Sequence, residues 1–321
     1  MLDNIQILRA FAAINVVLFH IIVTSSIYMQ GTNYLKILEG WGTNGVDIFF
    51  VISGFVMLHT QMERRRSISD FLLLRIIRIV PIYWIITSVV IILFLVLPQL
   101  FRQMAITPVW AISSFLFVSQ LITSEQPVVL VGWTLEWEML FYVIFAAVLI
   151  VNSWKVFVAC VTALLVSIAC LTKQFIIIEF IFGIMVAYCY KYNRYSHKTG
   201  IVLLILGSSL LLLSLSSVFQ LADLNRVVIW GVPSFFIVLG AVYSRQMRHS
   251  LLSYLGDASY SIYLVQILSI PAFYKFSSIR LHGFNGDLLA IFCLCISVSL
   301  GCLLYSYVES PLVSNLRRFV K

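Results

Sequence analysis

Arg9 and His20 lie eleven residues apart inside one apolar run, Ile5 to Tyr28, long enough to cross a bilayer as a helix. At 100° per residue, eleven steps end about 20° past three full turns and about 16 Å along the axis. Both side chains therefore share one face, with the cation near one end and the imidazole deep. Ionisable groups inside a membrane are costly and usually face a bundle interior or a water-filled cavity. Such a face has chemistry to offer: a cation that can hold an anion, and a base that can take a proton. The plain alternative is that Arg9 snorkels to the headgroups and His20 only packs. The shared face argues against it.

Other ionisable residues follow the same logic. Asp47 opens an apolar run, with Ser53 and Gly54 one to two turns further in. Gly45, Ser53 and Gly54 suit close helix packing, whereas Asp47 needs a partner, and His20 is one candidate. Arg75 and Arg78 are three apart and project from one face, and closely placed guanidiniums are natural partners for phosphates. Ser69 or Asp70 is placed to cap the helix that carries them. Glu136 and Glu138 are two apart and point to different faces, one toward the outer mouth and the other toward the bundle. Trp133, Trp137 and Tyr142 suit an interfacial aromatic belt, and aromatics at an opening also suit a sugar. Glu179 is an intramembrane acid with no partner evident in the sequence. His20 is the one histidine deep in a span; His59, His197, His249 and His282 fall at interfaces or in loops.

These residues must be positioned by membrane helices. The chain has 321 residues, 61% hydrophobic and 11% charged, with a mean hydropathy of +1.03, whereas a soluble domain carries about 25% charged residues. Runs of spanning length fall near 5–28, 41–60, 71–98, 133–151, 154–171, 174–191, 200–217, 226–243, 254–276 and 287–308. They predict an all-α polytopic membrane protein of about ten transmembrane helices. A further run, about 104–122, is interrupted by Pro108 and reads as interfacial or re-entrant, and Pro311 is expected to end the last span. With the N-terminus inside, fourteen Lys and Arg flank the inner loops and six the outer ones, so both termini are expected to be cytoplasmic. The net charge of +8 thus reads as a topology signal, not a nucleic-acid surface. The six cysteines sit in apolar spans without ligand spacing and read as buried small hydrophobes, so neither disulfides nor a metal site is expected. Asp3 and no basic residue precede the first run, and no small-residue cleavage site follows it, so it is expected to be a retained helix and not a cleaved signal peptide. Residues 1–321 are expected to form a single membrane-embedded domain.

Six motifs then line up in one order. Arg9 and His20 are separated by ten residues. Gly45 to Phe55 reads Gly-x-acid-x-Phe-Phe-x-x-Ser-Gly-Phe, and Arg75 to Pro81 reads Arg-x-x-Arg-Ile-x-Pro. Trp133 to Tyr142 reads Trp-Thr-Leu-x-x-Glu-x-x-Phe-Tyr, Ser259 to Leu264 reads Ser-Tyr-Ser-x-Tyr-Leu, and Glu309 and Pro311 make Glu-x-Pro. Together they resemble the integral-membrane acyltransferase family 3, and within it the bacterial exopolysaccharide and O-antigen O-acetyltransferase branch. The resemblance selects Glu138 over Glu136. Many relatives carry His where this chain has Gln266, so that position supplies no general base here. No counterpart of the soluble hydrolase-like domain that some relatives append is expected within these 321 residues.

The resemblance implies transfer of an acetyl group from acetyl-CoA to a sugar hydroxyl of a polysaccharide or lipid-linked oligosaccharide, in the bacterial inner (cytoplasmic) membrane. A hydroxyl is a poor nucleophile at neutral pH and needs a base. His20 is expected to be that base, oriented by Glu138 or Asp47. Arg9, Arg75 and Arg78 are expected to hold the CoA phosphates, and Trp133, Tyr142 and Ser53 to contact the acceptor. No metal is expected. The rival reading is a transporter for a lipid-linked sugar or other small solute, which predicts paired interrupted helices and internal symmetry. Neither is visible in the sequence.

Overall fold

Backbone amides and carbonyls find no water in hydrocarbon, so a chain this apolar satisfies them either in helices or in a closed barrel. The computed structural model describes residues 2–28, 34–100, 106–193, 195–215, 226–280 and 284–319, and the regular elements among them are all helical. They are α1 (Asp3–Tyr28), α2 (Asn44–Glu63), α3 (Ile68–Val96), α4 (Pro108–Phe115), α5 (Ser119–Ile122), α6 (Trp133–Val148), α7 (Trp154–Thr172), α8 (Ile178–Tyr192) and α9 (His197–Leu213). After these come a π-turn (Val227–Gly231), α10 (Val232–Tyr243), α11 (Ser250–Asp257), α12 (Ser259–Arg280), α13 (Gly286–Leu304), a second π-turn (Tyr305–Glu309) and α14 (Ser310–Arg317).

Eight helical segments are long and apolar enough to cross a membrane, which makes this a multi-pass membrane protein. Two predicted spans, α9 and Val227–Tyr243, are apolar but shorter. Four expectations change. The run at 254–276 divides into α11 and the long α12, which starts at Ser259. Pro108 does not interrupt a helix but starts α4, where its missing N–H costs nothing, and the Thr107 hydroxyl accepts from the Trp110 amide at 3.2 Å. The cap of α3 is Ser67, whose hydroxyl accepts from the Asp70 amide at 3.1 Å. Pro311 does not stop the chain's last helix, because the second π-turn absorbs the disruption and α14 continues.

The predicted inner loops meet at one end of the bundle. Asn4 donates to the Ala241 carbonyl at 2.9 Å. Gly256 abuts Gln6, Lys191 reaches Glu63 at 3.3 Å, and Arg65 donates to the Leu149 and Val151 carbonyls. At the opposite end Trp41 donates to the Leu211 carbonyl, and Asp287 accepts from the amides of Tyr34 and Leu35. We call the first the basic end. Arg194, Lys321, Arg102 and His282 lie outside the described residues.

Helices in lipid associate by packing, and small residues permit close approach. Gly54 of α2 and Gly183 of α8 face each other, so that a β-carbon on Gly54 would lie 2.2 Å from the Phe180 carbonyl oxygen. Phe180 stacks on Phe50 and Phe141, with ring centroids 4.4 and 4.3 Å apart, which ties α2, α6 and α8 together. All six cysteines are free, but Cys170 and Cys295 are exposed on the outside of the bundle, contrary to the expectation that all are buried.

Candidate active site

The basic end holds a cavity of about 110 Å³ between α1, α2, α3, α6 and α12. Arg9, Arg75 and Arg78 line it, together with Ser53, Glu138, Tyr142 and Ser259. Its apolar wall includes Phe49, Phe50, Met57 and Leu135, and Tyr260 and Tyr263 stand on α12. Six of the nine residues singled out from the sequence are thus brought together: Arg9, Arg75, Arg78, Glu138, Ser53 and Tyr142.

The three guanidiniums are short of partners. Arg9 donates to the Gln6 carboxamide oxygen at 3.2 Å, and Gln6 in turn donates to Asp257. Arg75 lies 5.9 Å from the Phe71 ring centroid, and its Nε is buried without a hydrogen bond. The ion pairs among the described residues are elsewhere: Lys191 with Glu63, Arg226 with Asp47, and Arg248 with Asp3. Three cations converging with no paired carboxylate form a site for an anion.

Glu138 is held in place: its Oε1 accepts from Ser53 at 2.8 Å and from the Tyr142 hydroxyl at 2.5 Å. Glu136 points the other way and caps α5, accepting from the Ser119 and Gln120 amides at 2.9 and 3.0 Å. The belt reading fails for Trp137 and Tyr142, both 4% exposed inside the bundle. Trp133 is half-buried and is not part of the cavity wall.

His20 is also outside the wall. Its Nδ1 lies 2.9 Å from the Val16 carbonyl oxygen. A carbonyl only accepts, so in the neutral ring Nδ1 carries the hydrogen and Nε2 is the basic atom. The orienting group is thus a backbone carbonyl one turn back, not the carboxylate that the sequence led us to expect. The Gln266 carboxamide adjoins the ring; its Nε2 donates to the Tyr263 carbonyl at 2.8 Å, and its Oε1 is buried without a hydrogen bond.

Asp47 is not a partner for His20. It is fully buried and bound by Arg226 through two hydrogen bonds, 2.8 Å from Nη2 and 3.1 Å from Nε, and Glu179 stands beside it. Arg226 belongs to none of the sequence motifs. The signal available was Trp230 four residues on, over whose ring the guanidinium sits at 5.0 Å. In the sequence Ser259 is only the first residue of the Ser-Tyr-Ser-x-Tyr-Leu motif, yet it lines the cavity, and its Oγ is buried without a hydrogen bond.

A family model for an acyltransferase domain matches residues 2–307. The chain belongs to the integral-membrane acyltransferase family 3. It is 32% identical over 257 residues to the exopolysaccharide production protein ExoZ of Rhizobium meliloti (strain 1021), an alignment covering 73% of this chain and 78% of the relative. No solved structure matches the chain. Family membership makes the protein a membrane acyltransferase, and the anion-ready cavity is its candidate active site.

Proposed function

We propose that the protein moves an acetyl group from cytosolic acetyl-CoA to a hydroxyl of a cell-surface polysaccharide or its lipid-linked repeat unit. The observation that carries this reading is the convergence of Arg9, Arg75 and Arg78 on one cavity, with the ion pairs of the described residues all elsewhere. CoA brings phosphates that match such a cluster. The relative's name supplies the exopolysaccharide context. In this reading all ten apolar helices cross the bacterial inner membrane, and the basic end faces the cytoplasm, following the excess of Lys and Arg there.

The donor phosphates sit on the three arginines, and the pantetheine arm runs along the α1 face toward His20. The acceptor hydroxyl enters from the outer side. His20 Nε2 takes its proton as the oxygen attacks the thioester carbonyl. The carbon–sulfur bond breaks, and the proton passes to the departing thiolate, giving ester and CoA with no net proton change. Of the two carboxylates considered, Glu138 alone is on the cavity, while Asp47 is engaged with Arg226. Ser53 and Tyr142 hold Glu138 within the donor cavity, so of the three acceptor contacts expected from the sequence Trp133 is the one kept in this reading.

The test uses purified protein, radiolabelled acetyl-CoA and a membrane-glycan extract. Release of CoA that requires the extract and is abolished in His20→Ala supports the reading. Release unchanged in His20→Ala removes His20 as the base. Failure to bind acetyl-CoA, together with uptake of labelled sugar into liposomes, would turn the assignment to a transporter.

A further inference from the structure

His20 stands outside the residues that line the cationic cavity. Gly45 of α2 packs on Ala12 and Val16 of α1, and Gly42 packs on Asn15 and Phe19. The two helices therefore run antiparallel in backbone contact, and Phe49, one turn inward of Gly45, falls near the level of Ala10, on the His20 side of Arg9. On the other side Gly256 abuts Gln6, and α12 runs outward from there beside α1. Tyr263 is seven residues beyond Gly256, half the fourteen that separate Gln6 from His20, so it stands nearer His20 than Phe49 does, within reach of its ring. Phe49 and Tyr263 meet edge-to-face with centroids 6.3 Å apart, and both line the cavity. One turn beyond Tyr263 on α12, Gln266 adjoins His20.

The two rings differ in freedom. The Tyr263 hydroxyl is within hydrogen-bond distance of the Val131 carbonyl and the Thr134 hydroxyl, at 2.7 and 2.8 Å, and the residue is buried. Phe49 has no polar atom to anchor and is half-buried against the cavity.

We propose that Phe49 is the acyl-selecting residue: with the fixed ring of Tyr263 it forms the aperture on the path from the three guanidiniums to His20, and it limits the donor acyl group to a short chain. This rests on the acyl-CoA reading above. A thioester anchored by its phosphates at the arginines must bring its carbonyl past this pair to reach Nε2. Each methylene that strains an apolar aperture costs about 10- to 200-fold in relative rate.

The experiment measures kcat/KM for acetyl-, butyryl- and hexanoyl-CoA with the same glycan extract, in wild type, Phe49→Ala, Phe49→Leu and Phe49→Trp. The acetyl-to-butyryl preference is expected to fall by about tenfold or more in Phe49→Ala, to fall partway in Phe49→Leu, and to rise in Phe49→Trp as acetyl transfer slows. An unchanged preference across active variants overturns the aperture. If Phe49→Ala does not fold, the opposite shifts of the leucine and tryptophan variants still decide it. A wild type that releases no CoA from any thioester overturns the acyl-CoA reading itself, and wild type alone reveals that.

Discussion

Asp47 and Arg226 bind each other through two hydrogen bonds across 179 positions of sequence, with the carboxylate fully buried. Removing one partner of such a pair leaves an uncompensated charge, at a cost of about 3–5 kcal/mol. Asp47→Ala should therefore lower the thermal unfolding temperature in detergent sharply. Adding Arg226→Ala should recover part of the loss, so that the double variant is less damaged than the sum of the singles. The solvated Lys191–Glu63 pair, about half exposed on both sides, should contribute at most about 1 kcal/mol. A Glu63→Gln melting curve close to wild type, beside a displaced Asp47→Ala curve, would establish the contrast.

The arginines of the cavity should behave differently from Arg226. Each charge-assisted hydrogen bond to a phosphate contributes about 1.5–3 kcal/mol. Arg75→Ala and Arg78→Ala should thus raise KM for acetyl-CoA by roughly 10- to 100-fold, and Lys at either position should restore only part of it. Melting temperatures should hold or rise, since three converging cations repel one another while no anion is bound. A fall in melting temperature as large as that of Asp47→Ala would mean that these guanidiniums hold the fold together.

What was legible in the sequence follows from range. Arg9 with His20, and Arg75 with Arg78, each lie on one helix, where the 3.6-residue period fixes which side chains share a face. Their placement could be read directly, and so could the helical class. Asp47 was misassigned because its partner is set by packing: Arg226 arrives from an element entered through a π-turn. The orienting group for His20 was hidden for another reason. Every residue has a carbonyl, so Val16 carries no signal of type. Phe49 was hidden by number, being one of 24 phenylalanines, and only its ring contact with Tyr263 sets it apart.

The Val16 carbonyl also permits a clean test of His20. Asn can present an N–H in place of Nδ1–H and keep a bond to that carbonyl, but it has nothing in the place of Nε2. In the proposed reaction His20→Asn should therefore lose about 10²–10⁴-fold in kcat, the usual worth of a general base, with KM for acetyl-CoA little changed. Wild-type rates should fall on the acid side of the pH profile, since an imidazolium cannot accept the hydroxyl proton. A raised KM with an intact kcat in His20→Asn would make His20 a binding residue.

Gly54 links packing to the site in a way that one substitution can expose. A β-carbon there would meet the Phe180 carbonyl oxygen at 2.2 Å and the Gly183 α-carbon at 3.1 Å. These are backbone atoms that cannot swing aside, so Gly54→Ala must push α2 away from α8. Overpacking of this kind costs about 1–3 kcal/mol. The shift also carries Ser53, the next residue, whose 2.8 Å hydrogen bond helps to hold Glu138 in the cavity. Gly54→Ala should therefore lower melting temperature and acyl transfer together. Ser53→Ala removes the hydrogen bond without moving the helix, so it should reduce transfer with only a small change in melting temperature. If Gly54→Ala lost stability while kcat/KM stayed at the wild-type value, the position of α2 against α8 would have no bearing on the cavity, and Ser53 would be packing alone.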